Sequence, residues 1–338
     1  NTTFIACLFF LTEETFPNYS WALNKFKSCV VALPQVLVTD RELALMNAID
    51  NVFPESIHLL CIWHINKNIL AKTKVHFPNN QKAYDNFIAS LNATWFQDSK
   101  EEFYKAWEMI ATQYQSHKAF KYVQENWFQY RKRFVKAWTK EYTHFGSQVT
   151  SRVESLHSIL KQYVQLSRGD LLIVVQKVLL LLVNQYNALM KELLRQQLVQ
   201  QKHLHHHLFS KLHGKVSIFA LKLIFDQYSK IEDDKKLPIC TNVFTKTMGL
   251  PCSHQIEKLL AQNECIPIES IHTQWLLQPA ESVIVEPTEH PTLELLISEF
   301  HLKFENALPH EQENLLQQMK DLIETVPLQL SDPTVAKV

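Results

Sequence analysis

The sequence predicts a mostly α-helical chain with a small α/β unit at its N-terminal end, and three observations carry that expectation. Only 4 glycines occur in 338 residues, and long stretches rich in Leu, Lys, Gln and Ala run without proline, a composition that favours helix. Between residues 1 and 76 short apolar runs alternate with segments of helical period, the pattern of strands and helices in turn. From residue 80 to residue 201 the apolar positions recur at helical spacing. A chain of this length has room for a sizeable core and for two or three folding units.

Taken in order, Thr3 to Leu11 is an apolar run with β-branched and aromatic members, which suits a central strand buried on both faces. Tyr19 to Val31 places Trp21, Phe26 and Val30 at helical spacing, and Pro34 punctuates it. Val36 to Thr39 is a strand ending in Asp40. Arg41 to Val52 is a helix closed by Phe53 and Pro54. Ile57 to Ile62 is a further strand, and His64 to Val75 is the helix that leaves it. Residues 80 to 145 carry two aromatic-rich stripes, Tyr84, Phe87, Ile88 and Leu91, then Phe103, Trp107, Ile110 and Tyr114, and read as an all-helical insertion. After a turn at His144 to Gln148, Thr150 to Leu166 is a helix with Val153, Leu156, Leu160 and Val164 on one face. Leu171 to Gln201 is one long helix, Ile231 to Pro238 a charged loop, and 279–292 a proline-containing linker before a final amphipathic stretch, Thr292 to Thr325.

Composition narrows the function. Lys+Arg and Asp+Glu both number 34, so the formal charge is zero and the whole-chain footprint of a nucleic-acid binder is absent. The densest local basic patch is Arg131, Lys132, Arg133, Lys136 and Lys140, interleaved with Trp127, Tyr130, Phe134 and Trp138 on one expected helix. Such a face either contacts DNA or is a solvated helix with a buried aromatic stripe. Six cysteines in a chain this large do not form a secreted disulfide framework, and a reducing compartment fits them better. Residues 1 to 11 lack a basic leader, so they read as a buried strand and not as a signal peptide. The run Leu171 to Val183 is too short and interrupted to span a bilayer, so it reads as a buried helix of a soluble protein with no membrane partner.

Four places can carry chemistry. Asp40 stands at a strand end, where a carboxylate can ligate Mg2+, although it can equally cap the helix that follows. Cys61 and His64, three apart where a strand gives way to a helix, are either metal ligands or a buried thiol and a capping imidazole. Glu154 shares a helix face with Ser158 and Lys161, and the plain alternative is a surface ion pair. In the C-terminal part Gly249 and Pro251 form a turn that brings Cys252 and His254 round as a close pair, and Cys240 offers a third zinc ligand. The stretch His203, His205, His206 and His207 is a weaker metal candidate, because adjacent histidines on a helix cannot all face one site.

These four pieces, in this order, resemble the Mutator-like element (MULE) transposase family. The resemblance rests on Val38-Thr39-Asp40-Arg41-Glu42, on Leu60-Cys61-Ile62-Trp63-His64, on Ser151-Arg152-Val153-Glu154-Ser155-Leu156-His157, and on Gly249-Leu250-Pro251-Cys252-Ser253-His254. It covers residues 1 to about 275. It implies a ribonuclease-H-like sheet, incomplete here, bearing an Asp, Asp, Glu triad that seats two divalent ions, Mg2+ or Mn2+, for DNA cleavage and strand transfer. Asp40 matches the second Asp, Glu154 the Glu, and Cys61 and His64 the intervening Cys-x-x-His motif. No Asp precedes Asp40, so the resemblance implies an N-terminally truncated chain without the first catalytic Asp, and hence without cleavage. The last motif resembles a SWIM-type zinc finger, with Asn242 where a second cysteine would stand.

The resemblance also implies an organisation. Residues 1–76 begin the core, 77–148 are the helical insertion, and 149–202 hold the helices that complete the core. Residues 203–237 connect, 238–276 form the zinc-finger-like segment, and 277–338 form a linker and helical tail. Double-stranded DNA is the implied partner, with a possible homo-oligomer and a nuclear location. The alternatives are a domesticated, non-catalytic DNA-binding or partner-binding regulator, and a helical scaffold, for which the zero net charge speaks.

Overall fold

The computed structural model describes residues 4–164, 171–199, 204–232, 237–277, 304–305 and 312–317. The chain divides into a unit from Asn1 to Leu277 and a second from Gln278 to Val338. In the second, only 304–305 and 312–317 are described, both helical, so the expected linker and most of the stretch from Thr292 to Thr325 lie outside the described residues.

The first unit is mostly helical, and its one sheet among the described residues has two strands. Helix α1 (Phe16–Cys29) precedes strand β1 (Val36–Thr39), helix α2 (Leu43–Val52), strand β2 (Ile57–Leu60) and helix α3 (Ile62–Thr73). The strands are parallel, with Val36 opposite Ile57 and Thr39 opposite Leu60. Parallel neighbours need a crossover, and α2 supplies it. Its apolar positions Met46, Ile49 and Val52 are buried.

The strand expected over Thr3 to Leu11 is not formed: described residues 4–11 have no regular structure, and Phe4 and Phe10 are more than half exposed. Among the described residues no ladder partner pairs this run. The Ile5 N–H bonds instead to the side chain of Gln185 (3.1 Å). An apolar run becomes a strand only when a neighbouring strand takes up its backbone groups.

Helices α4 (Gln81–Trp95), α5 (Lys100–Tyr114), α6 (Lys118–Asn126) and the short α7 (Lys136–Thr139) fill the next stretch. Their aromatic stripes meet in one core with Phe87, Trp95, Phe103, Trp107, Phe120 and Phe134 at its centre. Leu60, Ile65 and Ile69 belong to that same core, so the insertion is packed onto β2 and α3. Ser99 and Glu102 form a capping box that starts α5.

The basic run is not the single helix expected of it, because Phe128–Arg133 is a 3-10 helix and α7 begins only at Lys136. Four of its five cations are engaged internally. Arg133 pairs with Asp50 (2.7 Å), Lys136 with Asp98 (2.7 Å), Arg131 lies over the Phe128 ring, and Lys140 bonds the Asp98 carbonyl. Lys132 is exposed.

Helix α8 (Ser151–Val164) runs alongside α9 (Leu171–Leu198). The buried helix expected from Leu171 to Val183 turns out to be largely surface. Val178 and Leu181 are buried, but Leu179, Leu180, Val183 and Tyr186 are each more than half exposed. Among the described residues α8 is the helix that packs most extensively against α9, and hydropathy cannot report how many sides will be covered. By length and composition alone Ile173–Leu198 is apolar enough to cross a membrane, a test that core helices also pass.

A second core closes the first unit. Leu204, Phe209, Leu212, helix α10 (Ile218–Glu232), Leu250, Ile256 and Trp275 pack together, with helices α11 (Val243–Met248) and α12 (Ser253–Ala261) on it. His203 lies outside the described residues. His206 accepts the Leu208 N–H in a capping role, and none of His205, His206 and His207 joins a group of potential metal ligands among the described residues.

Candidate metal centres

The first cluster forms where β1, β2 and α8 end or begin. Asp40 leaves β1, and the helix cap offered as the plain reading of this residue is made by Glu42, whose carboxylate accepts the N–H groups of Ala44 (3.1 Å) and Leu45 (2.5 Å). Asp40 is therefore released from capping, with its side chain 53% exposed. Cys61 is buried at the N-cap of α3, and His64 stands in the first turn of that helix. Glu154 lies in the first turn of α8.

The imidazole of His64 sits between the two acids. Nδ1 is 2.6 Å from Asp40 Oδ1, and Nε2 is 2.9 Å from Glu154 Oε1. In place of a surface pair with Lys161, Glu154 thus meets His64 of α3. Thr150, which no sequence pattern singled out, ties the group together. Its hydroxyl donates to Asp40 Oδ1 (3.2 Å) and lies 3.0 Å from His64 Nδ1, while its N–H donates to Cys61 Sγ (3.3 Å). Its carbonyl accepts the N–H of Glu154 at the head of α8.

A partly buried polar chain runs from Arg133 to the Asp40 backbone carbonyl. An arginine can only donate, so Arg133 Nη1 at 2.6 Å fixes His58 Nδ1 as acceptor. The Nε2–H of His58 then donates to Thr39 Oγ1 (2.7 Å), which donates in turn to the Asp40 carbonyl (2.8 Å). Burial, and then the positive charge of Arg133, hold His58 down at about 4, against a smaller opposing effect of Asp50. Arg41, beside Asp40, is sandwiched with the Trp127 and Tyr130 rings, at 5.0 and 5.3 Å. Sequence reading missed this network because its members are distant in the chain and each is unremarkable alone.

The second cluster joins Cys240, Cys252 and His254, whose ligand atoms lie within 4.8 Å of one another. Cys240 Sγ and Cys252 Sγ are 3.9 Å apart and not bonded as a disulfide. Two thiolates on one tetrahedral zinc, at bonds of 2.3 Å, stand about 3.8 Å apart. Burial opposes ionisation of Cys252, but hydrogen bonds with the Gln255 segment, His254, Thr245 and Cys240 outweigh it and hold the thiol below its ordinary value. His254 Nε2 meets the Pro238 carbonyl at 2.6 Å, which leaves Nδ1 as the lone-pair nitrogen. Asn242, at the place of a second cysteine, is a left-handed residue at the start of α11.

Gly249 makes the turn between these ligands. It has φ +62°, and a Cβ there would stand 2.4 Å from the Cβ of His272. Gly249→Ala is therefore expected to destabilise this part of the chain by about 2 kcal/mol or more. Urea unfolding followed by Trp275 fluorescence checks it; an unchanged midpoint would contradict the packing described.

Comparison with known proteins bears on the first cluster. Residues 1–68, which hold Asp40, Cys61 and His64, match the MULE transposase domain. Over those residues the chain is similar to the MULE transposase domain. Among curated proteins, the chain is 22% identical to Protein FAR-RED IMPAIRED RESPONSE 1 of Arabidopsis thaliana over 160 residues, 46% of this chain and 18% of that protein. It is 26% identical to Protein FAR1-RELATED SEQUENCE 4 of the same plant over 163 residues, 46% of this chain and 20% of that protein. It is also 26% identical to the PKS-NRPS hybrid synthetase cheA of Chaetomium globosum over 311 residues, 79% of this chain but 7% of that protein. The chain thus spans a fifth or less of the length of each of these relatives.

Proposed function

We propose that this MULE-derived chain carries the metal-dependent, DNA-directed active centre of a transposase, with Asp40 and Glu154 as carboxylate ligands for Mg2+ or Mn2+ and His64 beside them. The observation that carries the reading is the convergence of Asp40, His64 and Glu154, with the buried Cys61 behind them, from the end of β1, the start of α3 and the first turn of α8. Chance would not gather the acid and imidazole residues of three separated motifs. A ribonuclease-H-like core is part of the proposal, supported by the β1–α2–β2 crossover with an acid at the first strand's end.

Carboxylate oxygens suit hard divalent cations, and such ions supply nucleophile activation and leaving-oxygen stabilisation in phosphodiester transfer. The protein's own contribution is positional. Thr150 and the Thr39–His58–Arg133 chain fix Asp40, and the head of α8 presents Glu154. The Cys240, Cys252 and His254 cluster is proposed to take Zn2+ as a structural ion, supported by its sulfur separation. Double-stranded DNA is the proposed partner, and a nuclear location follows from that partner.

A second reading, a regulator that binds DNA or a protein partner without cutting, is favoured by one observation. Among the described residues the cluster holds two carboxylates, Asp40 and Glu154, whereas a pair of ions is seated by three. Nicking of supercoiled DNA in Mn2+ or Mg2+ separates the readings. The transposase reading expects activity that falls at least a hundredfold in both Asp40→Ala and Glu154→Ala. A folded chain that binds DNA with a steep salt dependence but does not nick it supports the regulator.

A further inference from the structure

The Asp40 cluster contains a donor that a Mg2+ centre has no use for. Cys61 is 1% exposed, yet its sulfur, one His64 ring nitrogen and an Asp40 carboxylate oxygen all lie within 4.8 Å of one another. We propose that Cys61, His64 and Asp40 form a site for one borderline-soft transition-metal ion of the Zn2+ class, with Glu154 orienting His64 from outside and a fourth position open to water or a phosphate oxygen. The inference uses the same cluster as the proposed active centre but does not depend on the reaction proposed there.

Three features fit this donor set. A thiolate selects Zn2+ or Co2+ strongly over Mg2+, and one sulfur, one nitrogen and one oxygen are an ordinary zinc complement. Three protein ligands with a fourth position left free are the arrangement of catalytic zinc, and the free side here is toward solvent, with Asp40 53% exposed. A metal-bound imidazole gives its second ring N–H to a carboxylate, a backbone carbonyl or water, and Nε2 of His64 already faces Glu154 Oε1 at 2.9 Å while Nδ1 faces Asp40. The adjustment needed is on the order of 1 Å, because atoms up to 4.8 Å apart must close to the spacing of a zinc site and the closest pair must open to it. Ligand atoms on a tetrahedral zinc stand about 3.3–3.8 Å apart, so Asp40, whose carboxylate is 2.6 Å from Nδ1, must withdraw by under about 1 Å.

The test is Co2+ titration of the metal-free full chain, read by the thiolate-to-cobalt charge-transfer absorption, with circular dichroism as the check on folding. Wild type is expected to bind two equivalents with sulfur character, one at each cluster. Cys61→Ser should remove one of them and Cys252→Ser the other. A single equivalent, lost in Cys252→Ser and untouched by Cys61→Ser, overturns the proposal. Should Cys61→Ser fail to fold, Asp40→Asn decides at an exposed position: at least tenfold weaker cobalt binding at one site is expected, and unchanged affinity at both overturns the site. Cobalt bound at Cys61 in a chain that does not nick DNA upholds this inference and removes the nuclease reading. Mg2+-dependent nicking with no cobalt at Cys61 does the reverse.

Discussion

Trp95→Ala is expected to lower the stability of the first unit by about 3–5 kcal/mol, roughly a fifth or more of what a domain commonly has. Trp95 is 1% exposed and stacks with Phe103 (6.3 Å) and Trp107 (5.9 Å), with Phe134 edge-on at 5.2 Å. These rings come from α4, α5 and the segment before α7, so truncation removes the piece that three elements share. The large void cannot close, because the neighbouring aromatics are held by one another. The indole N–H has no hydrogen-bond partner, so no polar gain offsets the loss of packing. Since Leu60 and Ile65 lie in the same core, the strand end and the helix that carries His64 should loosen with it. Urea denaturation with amide exchange measures both effects. A loss below about 1 kcal/mol would mean that the insertion does not depend on this cluster.

Acidification is expected to destabilise the chain through His58. Its folded-state value of about 4 lies below the ordinary 6.5, so the unfolded chain binds the extra proton first. The contribution is fully present above about pH 6.5 and is lost as pH falls toward 4, and over that window it amounts to about 3 kcal/mol. The cause is structural: His58 is 6% exposed and receives a hydrogen bond from Arg133, so a proton on Nδ1 would set two cations against each other without water. Burial raises Asp50, but the hydrogen bonds and charge of Arg133, joined by His58, outweigh it and hold the carboxyl below its ordinary value, so it adds to the loss below about pH 4. His58→Gln keeps an acceptor for Arg133 but does not titrate. Its stability should vary much less between pH 6.5 and 4, and a slope equal to wild type would contradict the assignment of the neutral imidazole.

What could be read from the sequence follows the range of the forces involved. β1, β2 and the helices α2 and α3 were legible because alternation and helical period are local signals, and Val36–Thr39 and Ile57–Leu60 fall where they were expected. The stripes through Phe87 and Phe103 likewise reported buried faces. The N-terminal run was not legible, since its apolar character says that it prefers burial but not which strand will pair with it. Helix α9 failed for the same reason: Leu179, Leu180 and Val183 are as apolar as a core requires, and their exposure depends on what packs there. Asp40 could be read as a cap or a ligand, and only the chain's path showed that Glu42, two residues on, does the capping.

The four motifs were legible in the sequence, but the geometry that gathers their residues was not. Nothing local in Thr150 announces a residue that touches Asp40, His64 and Cys61 at once. Nor does the basic run disclose that Arg133 is spent on Asp50 and His58 and not held free for a phosphate. Charge patterning counts cations, whereas availability is decided by partners far away in sequence.

The central claim is that Asp40, Cys61, His64 and Glu154 make one metal centre, and anomalous diffraction from crystals grown with Zn2+ and, separately, Mn2+ tests it most directly. The account predicts an anomalous peak within about 2.3 Å of His64 and Asp40 ligand atoms, in addition to any peak at Cys240, Cys252 and His254. A peak at the second cluster alone, with His64 still bridging Asp40 and Glu154 in a crystal saturated with either ion, would contradict it.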